Sequence, residues 1–454
     1  MKAAVSLIAA LASTLLTTAP AQSRTWRVMP DGTGDAPTIQ AAIDSAQAGD
    51  EVLLAPGTYS WTTQGTSLDK FGGSMIEIKA GVSLRGEEGP ESTILDAEGY
   101  GRVILCQDVG EIRIEGLTVT GGARISTSSE TSNGGGICSL GNSRPTISNC
   151  IVRENYIDTG GGGDGAGIYA EQATIIDCEI FGNSCHDSGG GIYILQGSVS
   201  ECIIRNNGLY LGQGGGAGIC AGQASITNCE IFDNSGGPGV FSGGGISGGS
   251  SVSGCTIRNN RVFGDFQVSA GGINSGANIS DCRIEGNSAW SGYYDVIGGG
   301  SVLYNGSMSR CSLFDSDIVC SGNSISNCIF GGSATITNCT LVASSINGGS
   351  VSSSILANTT CSGPITFSCT NVYSNSLGDS LCGTDAGGNF SADPQFCAED
   401  PATSLNFALQ ADSPCAPGNH PDGISCGLIG AAPVGCGTVS VMPTTWSRLK
   451  SLYR

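Results

Sequence analysis

The chain has 454 residues, 73 of them Gly, with 13% charged residues and a formal net charge of -20. Acidity on this scale excludes nucleic acid as a partner, because phosphate recognition needs clustered Lys and Arg. Twenty-one Cys admit disulfides if the chain reaches an oxidising compartment, and the odd total leaves at least one thiol unpaired.

In chain order, residues 1–21 read as a secretory signal peptide. Lys2 precedes an apolar run from Ala3 to Leu16, and Ala19-Pro20-Ala21 supplies small residues for cleavage. That run is too short to span a bilayer, and no later segment is long enough. Residues 24–60 read as an N-terminal cap with a strand over Trp26–Met29, a helix and a strand over Glu51–Leu54. Asp35 and Pro37 give the helix start, and Ile39, Ala42, Ile43 and Ala46 line one face of it. Residues 61–378 carry the body. Its first coils are marked by Met75–Ile78, Val82–Leu84 and Ile112–Ile114, and Ile114–Val119 is a degenerate form of the phrase that follows.

From Pro145 to Asn287 one phrase returns six times: ISNCIVREN, IIDCEIFGN, VSECIIRNN, ITNCEIFDN, VSGCTIRNN and ISDCRIEGN. A GGGI or AGGI motif stands before each. Cys150, Cys178, Cys202, Cys229, Cys255 and Cys282 are spaced by 28, 24, 27, 26 and 27 residues. Such a period defines a solenoid, whose units bury apolar faces only by stacking. Within ITNCEIFDN, Cys229 and Ile231 alternate with Asn228, Glu230 and Asp233, which is the period of a strand. No helical periodicity appears, and Gly is too frequent for helices. The expected fold is all-β, a right-handed parallel β-helix solenoid.

Stacking turns repeated residues into columns. The repeated Cys should form a buried column of unpaired thiols, because parallel Cβ vectors strain a bond between neighbours. Ile180, Ile203, Ile231 and Ile257 should form the next column. The repeated Asn should occupy left-handed turns and bond from coil to coil. Arg153, Phe181, Arg205, Phe232, Arg258 and Glu285 point outward as a cation–π ladder that stabilises the surface.

Variable loops follow each Asn and should align along one edge. They hold Tyr156, Asp158, Asp164, His186, Asp187, Tyr210, Phe263, Asp265, Phe266, Trp290, Tyr293, Tyr294 and Asp295. Aromatic faces suit sugar rings or protein anchors, and carboxylates accept hydroxyl hydrogen bonds. The candidate binding residues are Tyr156, Tyr210, Phe263, Trp290, Tyr293 and Tyr294, with Asp158, Asp187, Asp265 and Asp295. The alternative is that these side chains merely pack on one another. No cofactor and no metal site is expected. Ca²⁺ is the one ion admitted, weakly, since GGGGDGAGI around Asp164 only faintly resembles a calcium-binding nonapeptide repeat and lacks its tandem spacing.

After Cys311 the coils tighten, with Cys328, Cys339, Ser354 and Cys369 in similar phrase positions. Residues 379–436 read as a Cys-rich C-terminal cap. Disulfides should concentrate among Cys369, Cys382, Cys397, Cys415, Cys426 and Cys436, since a small region with little apolar periodicity needs staples. Residues 437–454 form a tail, with Trp446, Leu449 and Tyr453 on one face of a short basic helix, that suits a sorting signal or a docked end.

DGTGDAPTIQAAIDSAQAGDEVLLAPGTY resembles the opening of pectate-lyase-like β-helix proteins, including pectin methylesterases. The GGGI and NCxIxxN phrases resemble those of bacterial surface β-helix proteins and chlamydial polymorphic outer-membrane proteins. The likeness covers about residues 26–345 and implies the fold far more strongly than a function. The polygalacturonase NTD, DD, GHG and RIK elements are missing, as are the pectin methylesterase DFIFG and LGRPW elements, and Trp61 stands where that second family carries Glu. No catalytic residue carries over. The two His, His186 and His420, lie in no nucleophile motif. Arg85, Arg102, Arg113 and Arg124 with Asp96, Glu98 and Glu115 form the one mixed-charge cluster of the early coils, read as a solvated face. The expectation is an exported or cell-surface protein presenting a long surface to a polysaccharide or a surface protein, without catalysis. The competing class is a lyase or hydrolase of an acidic polysaccharide. Oligomeric state is left open.

Overall fold

The computed structural model describes residues 23–65, 73–124, 133–158, 162–210, 214–237, 243–264, 270–275, 278–291, 301–304, 307–309, 311–314, 317–321, 324–326, 329–331, 335–342, 344–357, 359–374, 382–397, 408–430 and 434–436. The proposed signal peptide and the 437–454 tail lie outside them. Over the described residues the chain winds as a right-handed parallel β-helix, with a single helix near its start.

One coil shows why the phrase folds this way. Strand Ile168–Ile176 runs along two ladders, Asp177 turns the chain at φ 52°, and strand Glu179–Phe181 follows. Gly182 turns it again at φ 66°, and the short strand Ser184–Cys185 and a loop lead through Gly189 to Ile192. Four inward columns result. The GGGI isoleucines Ile137, Ile168, Ile192, Ile219, Ile246 and Ile273 make the first. Ile147, Ile175, Val199, Ile226, Val252 and Ile279 make the second. Val152, Ile180, Ile204, Ile231, Ile257 and Ile284 make the third. Ile157, Cys185, Leu209 and Val262 belong to the fourth, in a separate seven-stranded sheet. All are buried.

The six repeated Cys are buried and form no disulfide. Each thiol donates to the carbonyl two residues earlier, as Cys202 does to Ser200 O at 3.1 Å. Ile203 does not join the third column. It is 40% exposed, opposite Glu179 and Glu230, while Ile204 takes the inward place. One residue of slip in a strand inverts the side chain, and the doubled Ile of VSECIIRNN disguises it.

The Asn column is buried, and its role differs from a left-handed turn. Positive φ belongs to the residue before it, at Glu154, Gly182, Asn206, Asp233, Asn259 and Gly286. That turn frees the amide to point inward. Asn183 Nδ2 donates to Asn207 Oδ1 at 3.1 Å and to Val152 O of the coil below at 2.9 Å, and its backbone N–H also reaches Asn207 Oδ1. The same bonds link Asn155, Asn183, Asn207, Asn234, Asn260 and Asn287. The Gly of GGGI lies over this ladder. A Cβ on Gly191 would stand 2.7 Å from Gly218 O and 2.9 Å from Asn207 Nδ2, so the two phrases are halves of one device. On the outer surface Arg205 covers the Phe181 ring at 4.2 Å and Arg258 covers Phe232 at 4.0 Å, two rungs of the cation–π ladder.

At the N-terminal end, helix Ile39–Ser45 is capped by Thr38, whose side chain accepts from the Ala41 N–H, and it buries Ile39, Ala42 and Ile43. Strand Thr25–Val28 pairs with Glu51–Leu54, and that strand with Ser83–Gly86, so the first ladder runs into the coils. Tyr59 is buried with its hydroxyl between Val28 O and Ala55 O, and Trp61 is buried beside it in sequence. The mixed-charge cluster is a solvated face only in part, at the exposed Arg113 and Glu98. Arg102 is buried and donates to the Asn133 and Gly134 carbonyls and Ser74 Oγ, Arg124 is buried, and Arg85 pairs with Glu51 at 3.0 Å.

At the other end Cys361–Cys382, Cys369–Cys426 and Cys397–Cys436 are bonded. The cap therefore reaches back to Cys361 on strand Thr360–Ser368, and Cys415 stays free, buried against the Asn371 amide. Cys339 is disulfide-bonded. Cys369 is not the next filler after Cys339 and Ser354. It takes the left-handed turn at φ 48°, and buried Thr370 bonds back to Ser368 O as the fillers do. Cys328 lies outside the described residues.

Candidate functional site

The seven-stranded sheet positions the candidate residues. Its strands Ala123–Arg124, Tyr156–Ile157, Ser184–Cys185, Gly208–Leu209, Ser235–Gly236, Arg261–Gly264 and Ser288–Ser291 stack in register. Because Ile157, Cys185, Leu209 and Val262 face inward, alternation sends the residues on either side of them outward. Tyr156 and Ser184 precede the inward position. Asp158, His186, Tyr210 and Phe263 follow it.

This alternation gathers five polar side chains on one face. Tyr156 donates its hydroxyl to Asp158 Oδ2 at 2.9 Å, and Asp158 Oδ1 lies 3.5 Å from His186 Nε2. Tyr210 shares a 2.7 Å hydrogen bond with Ser184 Oγ and packs its ring edge-on to Tyr156, centroids 5.7 Å apart. Burial, then the bond to the Asp158 carboxylate, pushes the Tyr156 phenol up to about 12. Tyr210 is 44% exposed, Phe263 43%, and the Asp158 side chain 49%. Trp290 stands opposite Phe263 in the strand register. Asp265, Phe266, Tyr293, Tyr294 and Asp295 lie outside the described residues.

Asp187 packs against Gly162 of the preceding coil, near Asp164. The Asp164 carboxylate accepts the Ser188 N–H at 2.9 Å and so ties two loops together. Burial, with a contribution from the Asp187 charge, pushes its pKa up to about 6. Among the described residues no three His, Cys, Asp or Glu side chains are grouped to hold a metal ion. His420 belongs to the cap, buried with Nε2 at 2.9 Å from Gly388 O and Nδ1 accepting the Asp422 N–H.

Two features escaped the sequence. Ser184 was not singled out, yet its place directly after the buried Asn183 marks it as an outward strand position. Tyr169 and Tyr193 stack at 5.1 Å on the neighbouring ladder, each directly after a GGGI isoleucine, and that shared position was the available signal.

Residues 80–262 match the right handed beta helix region family model. No curated protein sequence matches the chain. Among solved structures, pectate lyase Pel9A is similar at 14% identity and a TM-score of 0.29, over 91% of this chain and 97% of that one. The catalytic unit of a GH87 alpha-1,3-glucanase from Streptomyces thermodiastaticus strain HF3-3 is 15% identical, TM-score 0.34, over 83% of this chain and 71% of its own. PfbA, a surface adhesin of Streptococcus pneumoniae, is 12% identical, TM-score 0.28, over 78% and 88%. These likenesses concern the fold alone. Among the described residues no helix is long and apolar enough to cross a membrane.

Proposed function

We propose that this is an exported β-helix protein, secreted or held at the cell surface, that binds an extended glycan along the outer face of its seven-stranded sheet without cleaving it. The observation that carries the reading is the outward row of Tyr156, Asp158, Ser184, His186, Tyr210 and Phe263, of which Asp158, Tyr210 and Phe263 are exposed and the rest half-buried. Aromatic rings alternate there with hydroxyl, carboxylate and imidazole groups at hydrogen-bonding distance of one another. Aromatic surface exposed beside fixed polar groups is the composition that sugar rings need. Disulfides at the C-terminal end fit an oxidising destination. A glycan-array screen of the mature protein, with a parallel assay for new double bonds and reducing ends, tests it. Binding without either product is expected, and absence of binding to any glycan overturns it.

The second reading, a lyase or hydrolase, is favoured by the contact of Asp158 with both a phenol and an imidazole, since such groups move protons. Product formation that is lost in His186→Ala would establish it in place of the first.

A further inference from the structure

We infer that the glycan taken by this face is an uncharged polysaccharide, recognised through its hydroxyl groups, and not a polyuronate. The inference rests on the glycan-binding reading above and adds the class of ligand.

Charge on the face carries the argument. On the outer side of the described strands from Ala123 to Gly236 there is no Arg or Lys; Arg124 occupies the inward column and is buried. The first cation on that side is Arg261, on the sixth strand. Besides the two phenols, the ionisable groups at the Tyr156–Tyr210 cluster are the half-exposed Asp158 carboxylate and the His186 imidazole beside it. Asp164 and Asp187 add acid at the loop base, and the whole chain carries a formal -20. A chain with one carboxylate per ring would meet like charge along the coils from Ala123 to Gly236 and reach a guanidinium only at their far end, at Arg261.

The same groups complement hydroxyls. Asp158 accepts, the Tyr210 and Ser184 hydroxyls both accept and donate, and the exposed Tyr210 and Phe263 rings offer apolar faces to the C–H side of a pyranose. Their stacking also matches a polymer. The coils repeat at about 4.8 Å, close to the advance of one ring in an extended pyranose chain, so each coil meets one sugar.

The test is affinity electrophoresis of the full mature protein. Gels containing xylan or mixed-linkage β-glucan are run beside gels containing polygalacturonate or alginate, each with and without calcium chloride at low salt. Retardation by a neutral polymer should exceed that by either acidic polymer at least about tenfold in apparent affinity, and the gap should narrow at high salt. The Tyr210→Ala/Phe263→Ala variant should lose about tenfold in affinity for the neutral polymer with an unchanged melting temperature. If that variant fails to fold, Tyr210→Phe serves instead, and a several-fold loss is expected from removing one hydroxyl. Equal or tighter binding of an acidic polymer, with or without calcium, overturns this inference and leaves glycan binding standing. Retardation by no polymer overturns both. Neutral-polymer binding that is unchanged in both variants removes this face as the site.

Discussion

The six regular coils and the Cys-rich end are held by different means. In the coils each Asn amide, Ile and free Cys repeats the same bonds to the coil above and the coil below, so every interaction is short in space and identical from turn to turn. In the end region the links are few and long in sequence. Cys369 reaches Cys426 over 57 residues and Cys397 reaches Cys436 over 39. Stacked repeats make stability a sum of neighbour terms, whereas a cap with little apolar periodicity depends on cross-links that restrict its unfolded chain.

The largest test of this contrast removes a staple. The Cys369→Ser/Cys426→Ser variant should destabilise the end by about 4 kcal/mol in the chain-entropy account of a loop of this length. Limited proteolysis should then cut after about residue 375 while the coils stay protected. Simultaneous loss of protection in the coils would mean that the end and the body are one cooperative unit.

The second test breaks the ladder. Asn207→Ala removes the acceptor of both the Asn183 amide and the Asn183 backbone N–H, in a buried site. Two buried donors left unmade amount to about 3 kcal/mol. Urea unfolding should show that loss in the body, and cleavage at the C-terminal end should be unchanged. A loss below about 1 kcal/mol would show that the coils close over the gap.

How much of this was readable follows the same division. The period, the alternation and the GGGI and Asn phrases announced coils and inward columns, because repetition averages out local ambiguity. Ile203 is the instructive failure. In a single phrase two adjacent Ile are equivalent, and only comparison with Ile180 and Ile231 in register decides which faces inward. Cys415 failed for a different reason. Pairing in the cap is set by which chains meet in space, and nothing local in the sequence says that Cys361 replaces Cys415 as a partner. At the candidate face the aromatics and carboxylates were legible as loop residues. The bonding of Tyr156 to Asp158, and of Tyr210 to Ser184 on the neighbouring coil, needed the register.

A paired substitution sharpens the register itself. Ile204→Ala should lose about 2–3 kcal/mol by opening a cavity in the third column, while Ile203→Ala should change stability by no more than about 0.5 kcal/mol. Thermal unfolding of the two single variants measures both. The reverse order would place the strand one residue out.

The smallest effect is a titration in the loops rather than in either region. Burial holds the Asp164 carboxyl up at about 6, above its value in an unfolded chain. The folded state therefore binds the proton more tightly, and the contribution to stability is greatest below about pH 4. It is lost as pH rises through about 6, and is flat above that. Solvent reaches part of the group, so the span is about 1 kcal/mol rather than the full value of the shift. Asp31, Asp50 and Glu98 have lowered values and oppose the trend at more acidic pH. The readout is thus a difference, wild type minus Asp164→Asn, followed by thermal unfolding between about pH 4 and 7. Asn keeps an acceptor for the Ser188 N–H at the position Asp164 Oδ1 now holds, so the loop tie survives and only the titration is removed. The difference should fall with rising pH and level off near neutrality. A difference curve without slope would mean that the carboxyl is solvated and that the Ser188 bond alone joins the two loops.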